Sequence, residues 1–249
     1  MAKNTEVAAT GGALAFSATE LPDFLKDKMG DDRGNEGVSS ADVTVPRLDL
    51  CQSLSECRKK NSPEYIPGIE EGQLYNNITR EVYGDSVLIV PVAFKKEFLL
   101  WRDQKLGGGF GGSFDSMEAA IAGLAAQEKP DEYEIVDTPQ HFVLLVNAET
   151  GKATEAVISM AKSKARVSRK FNSLIRMNEG PRFSRVYRCK GVSDQNSAGQ
   201  DFYNMAIENV GYVTADLFKR AEGLYELIQA GAVQADRSAP TGESVQPEM

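Results

Sequence analysis

The sequence predicts a mainly β protein with helices, of the α+β class, on three observations. Short β-branched runs bounded by turn signals lie at residues 43–50 and 72–102. A hairpin pattern at 142–160 leads into one long helical stretch. Two further strand patterns then precede a closing amphipathic helix. That order fits an OB-like five-stranded barrel, the oligonucleotide-binding plan, with a helix between strands 3 and 4 and a C-terminal helix. Periodicity alone equally permits another α+β arrangement.

The elements follow in chain order. "VTVPRLDL" (43–50) reads as an extended segment that Pro46 keeps at an edge. Residues 72–102 read as three strands, with a turn at Gly84-Asp85. Within them Val87 to Val92 form a run buried on both faces, where Pro91 calls for an edge or a bulge. "GGGFGG" (107–112) lacks the Gly-Lys-Ser/Thr ending of a phosphate-binding loop and reads as a connection. A helix is expected from Ser116 to Gln127, with Asp115 and Glu118 at capping-box spacing. Phe142–Val146 and Thr154–Met160 form the hairpin around Asn147–Gly151. Residues 182–192 and 201–213 read as strands. Residues 214–229 read as a helix capped by Thr214, with an apolar stripe of Leu217, Phe218, Ala221, Leu224, Tyr225 and Ile228.

Composition divides the chain. Residues 1–42 and 230–249 are rich in small, polar and acidic residues with few large apolar groups, and are expected to be flexible arms. The folded domain is then 43–229, with an acidic helical insertion at 107–138. Residues 115–138 carry seven acids against one base. Cys51, Cys57 and Cys189 show no zinc or redox spacing, so a reducing compartment is expected. No apolar run approaches the ~18 residues of a membrane span and no secretory pattern opens the chain. The expected location is the cytoplasm, of the host cell if a phage encodes the chain, with no membrane partner. Neither a cofactor nor a metal is expected, and homo-oligomerisation is left open.

Charge carries the functional signal. The chain has a net charge of −8, yet residues 152–190 hold eleven Lys and Arg against two acids, leaving −17 for the remainder. Inside this block, "AKSKARVSRKFNSLIRM" (161–177) forms an amphipathic helix at 100° per residue. Lys162, Arg166, Arg169, Lys170 and Arg176 share an arc of ~120°, and Val167, Phe171, Leu174 and Ile175 face the other way. Lys164 alone lands on the apolar side. Like charges four apart, such as Lys162–Arg166 and Arg166–Lys170, cost helix stability, so an unmixed cationic face points to a polyanion partner or to the protein's own acids. Downstream, "RFSRVYRCK" places Phe183, Arg185 and Tyr187 on one strand face, with Val186, Arg188 and Lys190 on the other. Aromatics interleaved with arginines suit single-stranded nucleic acid, whose bases stack while guanidiniums follow the phosphates. The competing reading of that strand puts Phe183 and Tyr187 in the core.

The chain resembles the single-stranded DNA-binding proteins that bacteriophages encode for their own replication. The resemblance rests on "VPRLDLCQ", "EGQLYNNITREVYGDSVLIVPV" with "FLLWR", "ISMAKSKARVSRKFNSLI", and the "FSRVYRC" and "FYNMAIENVGYV" pair, spanning most of 43–213. It implies an OB-type body, sequence-independent binding of single-stranded DNA in replication or recombination, and a C-terminal tail that contacts replication proteins. It also implies DNA contact at Trp101, Lys162, Arg166, Arg169, Lys170, Tyr187 and Arg188. Lys164, Arg176 and Arg185 join these from the charge pattern. Tails of that class end densely acidic, whereas this one holds only Glu243 and Glu248 after residue 236, so the acidic 115–138 stretch is the alternative contact for replication proteins.

Two other functions compete. A non-enzymatic phage interaction protein would bind a host or replication protein through the acidic insertion or the basic helix. A metal-dependent nuclease would need carboxylates converging on a cation, and Asp85 followed at a distance by Asp103 and Lys105 offers a weak acid…acid-x-Lys match, with Asp103 at the exit to a glycine loop. The single histidine, His141, begins a strand and reads as structural rather than catalytic.

Overall fold

The computed structural model describes residues 33–37, 44–196 and 198–235. The chain divides into two units, Met1–Val38 and Ser39–Met249. In the first, residues 33–37 form a turn in which Glu36 accepts a hydrogen bond from the Gly34 N–H at 2.9 Å. The expected arms at 1–42 and 230–249 otherwise lie outside the described residues, apart from the chain through Ala235.

The second unit contains eleven described strands and three α-helices. They begin with β1 (Thr44–Val45), β2 (Leu48–Leu50), β3 (Leu74–Asn76), β4 (Val82–Gly84) and the long β5 (Ser86–Arg102). Next come β6 (Phe110–Phe114), helix α1 (Met117–Ala125), β7 (Tyr133–Val146) and β8 (Ala153–Ser159). Helix α2 (Ala165–Met177), β9 (Arg185–Gln195), β10 (Asp201–Tyr212), helix α3 (Ala215–Gln229) and β11 (Gln234–Ala235) complete the order. The main sheet runs β10-β9-β5-β7-β8, antiparallel throughout, with β6 added to the far half of β5. A small sheet, β2-β3-β4, lies beside it, and β1 pairs with β11.

Alternation along the strands sorts apolar side chains onto two faces. Val87, Ile89, Val143, Leu145, Ile158, Tyr187, Cys189 and Met205 share one core with Leu48, Leu50 and Leu74 of the small sheet. Helix α2 closes that core with Phe171, which is 1% exposed, backed by Val167, Leu174 and Ile175. Burying one such phenyl ring contributes about 1.5–3 kcal/mol. The other face gathers Val90, Val92, Phe142, Leu144, Val157 and Phe183 beneath Ala221, Leu224 and Ile228 of α3. A sheet covered on both sides explains why the run from Val87 to Val92 is apolar without alternation. Pro91, which has no N–H to give, borders the predicted bulge: the β5–β7 register shifts between Pro91 and Ala93.

The α+β class holds, but among the described residues no closed barrel forms. Strands β8 and β10 occupy opposite edges of the sheet with no ladder joining them. Helices cover both faces, so nothing drives the sheet to close on itself. Its edges are protected otherwise. Pro46 and Arg47 lie against β8, with the Val157 N–H donating to the Pro46 carbonyl at 2.8 Å. At β10, the Gln52 side chain stands in for a strand: its amide donates to the Tyr203 carbonyl at 2.7 Å and accepts from the Tyr203 N–H at 2.9 Å.

Local differences have local causes. "GGGFGG" supplies the start of β6, which pairs with Phe98–Trp101 of β5 rather than merely connecting. A Cβ on Gly111 would stand 2.8 Å from the Tyr133 ring, so the strand needs glycine to pass there. Helix α1 is capped by Ser116, whose hydroxyl accepts from the Ala119 N–H at 3.1 Å, not by Asp115. Strand β7 begins at Tyr133, well before Phe142, because the far half of β5 pairs with its polar portion. Thr214 caps α3 as expected, accepting from the Leu217 N–H at 3.3 Å. Among the described residues no helix is long and apolar enough to cross a membrane.

Candidate nucleic-acid interface

Helix α2 extends a single 3₁₀ turn, Lys162–Lys164, and carries no acid in its first turn. Its apolar residues are fixed by the core beneath, which leaves the opposite face no choice but solvent. Arg166, Arg169, Lys170 and Arg176 are all exposed there, the Arg166 side chain by 76%. Lys164 lies on the flank, half-buried. Arg169, Lys170 and Arg176 have no ion-pair partner among the described residues.

Beside the helix runs a groove of about 480 Å³, bounded by α2 and by the β9–β10 pair. Val167, Phe171 and Leu174 line its helical wall, and Val192, Met205 and Ile207 its strand side. Arg166 and Lys170 also border it, as does one acid, Asp194. Asp194 accepts from the Asn204 amide at 3.0 Å and from the Gln195 N–H at 2.9 Å, and pairs with Arg166 at 3.3 Å. These contacts, Asn204's first, hold its carboxyl below the usual carboxylate range. The groove therefore has an apolar floor and a mostly cationic rim with one built-in counter-charge.

The remaining predicted residues are dispersed. Lys162 pairs at 3.5 Å with Glu134, which stands directly across from Trp101 in the β5–β7 ladder. Trp101 itself is half-buried, its ring 5.2 Å from that of Phe110. Arg188 and Lys190 share the carboxylate of Glu208, at 3.4 and 2.8 Å. By alternation these three project from the sheet face opposite α2. The charge block gathered in sequence thus divides between two faces in space, and part of it is neutralised internally. A single cationic groove holding every candidate is not formed.

Tyr187 is the clearest correction. It is 1% exposed, meets Phe171 edge-on at 5.2 Å, and its hydroxyl accepts from Asn178 at 3.0 Å. No base reaches its ring in the folded protein; Phe183, in the 3₁₀ turn Arg182–Ser184 ahead of β9, is buried too, but in the core on the other side of the sheet. Arg185, two residues before Tyr187 on the same strand face, instead lies over Tyr212, its guanidinium carbon 4.1 Å from the ring centroid and one NH₂ donating to the hydroxyl at 2.7 Å. Tyr212 was not legible as a site residue, because its partner depends on a register that shifts between Asn209 and Gly211.

His141 forms a buried cluster with Ser168 and Arg182. Arg182 donates to Nδ1 at 2.9 Å and to Asn172 at 2.9 Å, while Nε2 lies 2.8 Å from the Ser168 hydroxyl. Because Nδ1 accepts, the neutral ring carries its proton on Nε2 and donates to serine. That polarity is the reverse of a general base, so Ser168 is not activated. Burial first, then Arg182, pushes the His141 pKa down to about 3. Asp103 accepts from the Lys105 N–H at 2.8 Å within its own turn. Among the described residues no three His, Cys, Asp or Glu side chains converge as a metal site requires.

Comparison with known proteins matches residues 11–234 to one family model, described as Pam3 phage gp34-like protein. No curated protein and no solved structure matches the chain.

Proposed function

We propose, from the premise that the chain belongs to the Pam3 phage gp34-like protein family, that it is a non-enzymatic, sequence-independent single-stranded DNA-binding protein of phage replication or recombination, working in the host cytoplasm. The observation that carries this reading is the exposed cationic face of α2 beside an apolar-floored groove. Phosphates are attracted to Arg166, Arg169, Lys170 and Arg176, and an apolar floor rewards bases that a duplex would keep hidden. The proposal extends to an OB-like ancestry. In its support, the small sheet and β5, β7, β8, β9 and β10 surround one core, with Arg47 and Gln52 reaching the two open edges.

A second reading, contact with a replication protein, has its own support. Phe110, Met117 and Ile121 in β6 and α1 of the acidic insertion, with Leu106 just before it, are all at least 42% exposed. Electrophoretic mobility shift with single-stranded DNA, duplex DNA and RNA oligomers at two salt concentrations tests the leading function. Retarded single-stranded DNA at micromolar protein and low salt, released at high salt, is expected. Single-stranded DNA that stays free under those conditions refutes it.

A further inference from the structure

We propose that Tyr212 and Arg185 form a base-stacking platform that continues the groove beside α2, taking an unstacked base of single-stranded DNA. The inference rests on the function proposed above and names a site within it. Three observations converge. Tyr212 is 73% exposed, whereas Tyr75 and Tyr187 are each 1% exposed. The ring is not free to swing, because Arg185 covers one face at 4.1 Å and holds the hydroxyl at 2.7 Å. The Arg185 Nε is buried without a hydrogen-bond partner, so the guanidinium is anchored chiefly through this tyrosine.

Position gives the pair its role. Arg185 and Tyr187 share a strand face, and Tyr187 packs on Phe171 of α2. Met205 and Ile207, on the strand side of the groove, lie on the same strand that ends at Tyr212. From Ile207 to Tyr212 that strand advances roughly 16 Å at ~3.3 Å per residue. A nucleic-acid strand lying along the groove past Arg166 and Lys170 would therefore arrive at an oriented aromatic ring backed by a cation. The ring's free face stacks on a base of any identity, and Arg185 adds charge for the adjoining phosphate.

The test is a cycle of ring removal against base removal. Fluorescence anisotropy measures binding of a labelled oligothymidylate and of a fully abasic oligomer of equal length to wild-type protein, Tyr212→Ala, Tyr212→Leu and Tyr212→Phe. Tyr212→Ala and Tyr212→Leu are expected to weaken oligothymidylate binding about tenfold while leaving abasic binding and the salt slope unchanged. Tyr212→Phe should stay within about twofold of wild type. Because the side chain is exposed, all three variants should melt with the wild-type protein. Equal binding of oligothymidylate by wild type and Tyr212→Ala, or equal loss on both oligomers, overturns the platform while leaving the function standing. Wild-type protein that binds neither oligomer overturns the function and the platform together.

Discussion

Acid should destabilise this protein through one side chain. His141 is the only histidine in the sequence, is 0% exposed, and lies between Phe94 and Phe171 at ring distances of 5.0 and 5.1 Å. Its pKa falls from 6.5 to about 3 in the folded chain. Between those values the unfolded chain binds a proton that the folded chain refuses, so stability declines as pH falls and is unaffected by this group well above 6.5. The decline approaches about 1.4 kcal/mol per pH unit, giving a loss of about 2 kcal/mol at pH 5 relative to the neutral plateau. Urea unfolding of wild type and His141→Gln at pH 5.0, 5.5, 6.0 and 6.5 measures it. Glutamine can accept from Arg182 and donate to Ser168, so the variant keeps the hydrogen bonds without the titration. Other titrating groups, including Cys57, whose pKa the hydrogen bond with Cys51 lowers to about 7, cancel in the difference between the two proteins. The variant's stability should be nearly flat where wild type slopes. Parallel slopes, or a folded-state histidine resonance titrating near pH 6.5, would refute the reasoning.

Other expectations follow from the groove and from backbone packing. Replacing Arg166, Arg169 and Lys170 together by Glu should leave the circular dichroism spectrum unchanged. The slope of log affinity for single-stranded DNA against log salt should flatten by about 2, since each single-strand phosphate contact contributes about 0.7. Asp194→Asn should tighten binding severalfold at low salt, because Arg166 loses its competing carboxylate at 3.3 Å; unchanged affinity in a titration would place Arg166 outside the interface. Gly191→Ala should cost more than about 3 kcal/mol or prevent folding in a thermal melt, as its Cβ would stand 1.9 Å from the Gly72 carbonyl oxygen. Gly223→Ala, inside α3 with nothing within 4 Å, should instead stabilise by about 0.5–1 kcal/mol.

What could be read from the sequence was whatever a local rule decides. The apolar stripe of α2 predicted its packing because period 3.6 is imposed by backbone hydrogen bonds within the helix itself. Thr214 and Pro91 announced a cap and a bulge for equally local reasons. Sheet closure, by contrast, depends on which strands become edges, and only the path of the 44–76 segment, with Pro46 and Gln52 placed against those edges, decides that. The strand reading of "RFSRVYRCK" had two outcomes with the same alternation. Contact with Phe171 chose the buried one for Tyr187, which no pattern inside the strand could show. Tyr212 stayed hidden because its neighbour is Arg185, distant in sequence and reached only through a shifted register.

The internal ion pairs change what the charge block means. An unmixed run of cations in an anionic chain suggests a face held open for a polyanion, yet Glu134, Asp194 and Glu208 engage Lys162, Arg166, Arg188 and Lys190. These pairs are largely solvent-exposed, where an ion pair contributes about 0.2–1 kcal/mol. A phosphate arriving at Arg166 therefore displaces a weak contact rather than a strong one. The resident carboxylates make each such contact cheaper to leave, while Arg169, Lys170 and Arg176 supply the attraction that remains uncompensated among the described residues. Under the proposed function such a face favours exchange over tight capture, and affinity for a nucleic-acid strand should respond to salt more sharply than to its sequence.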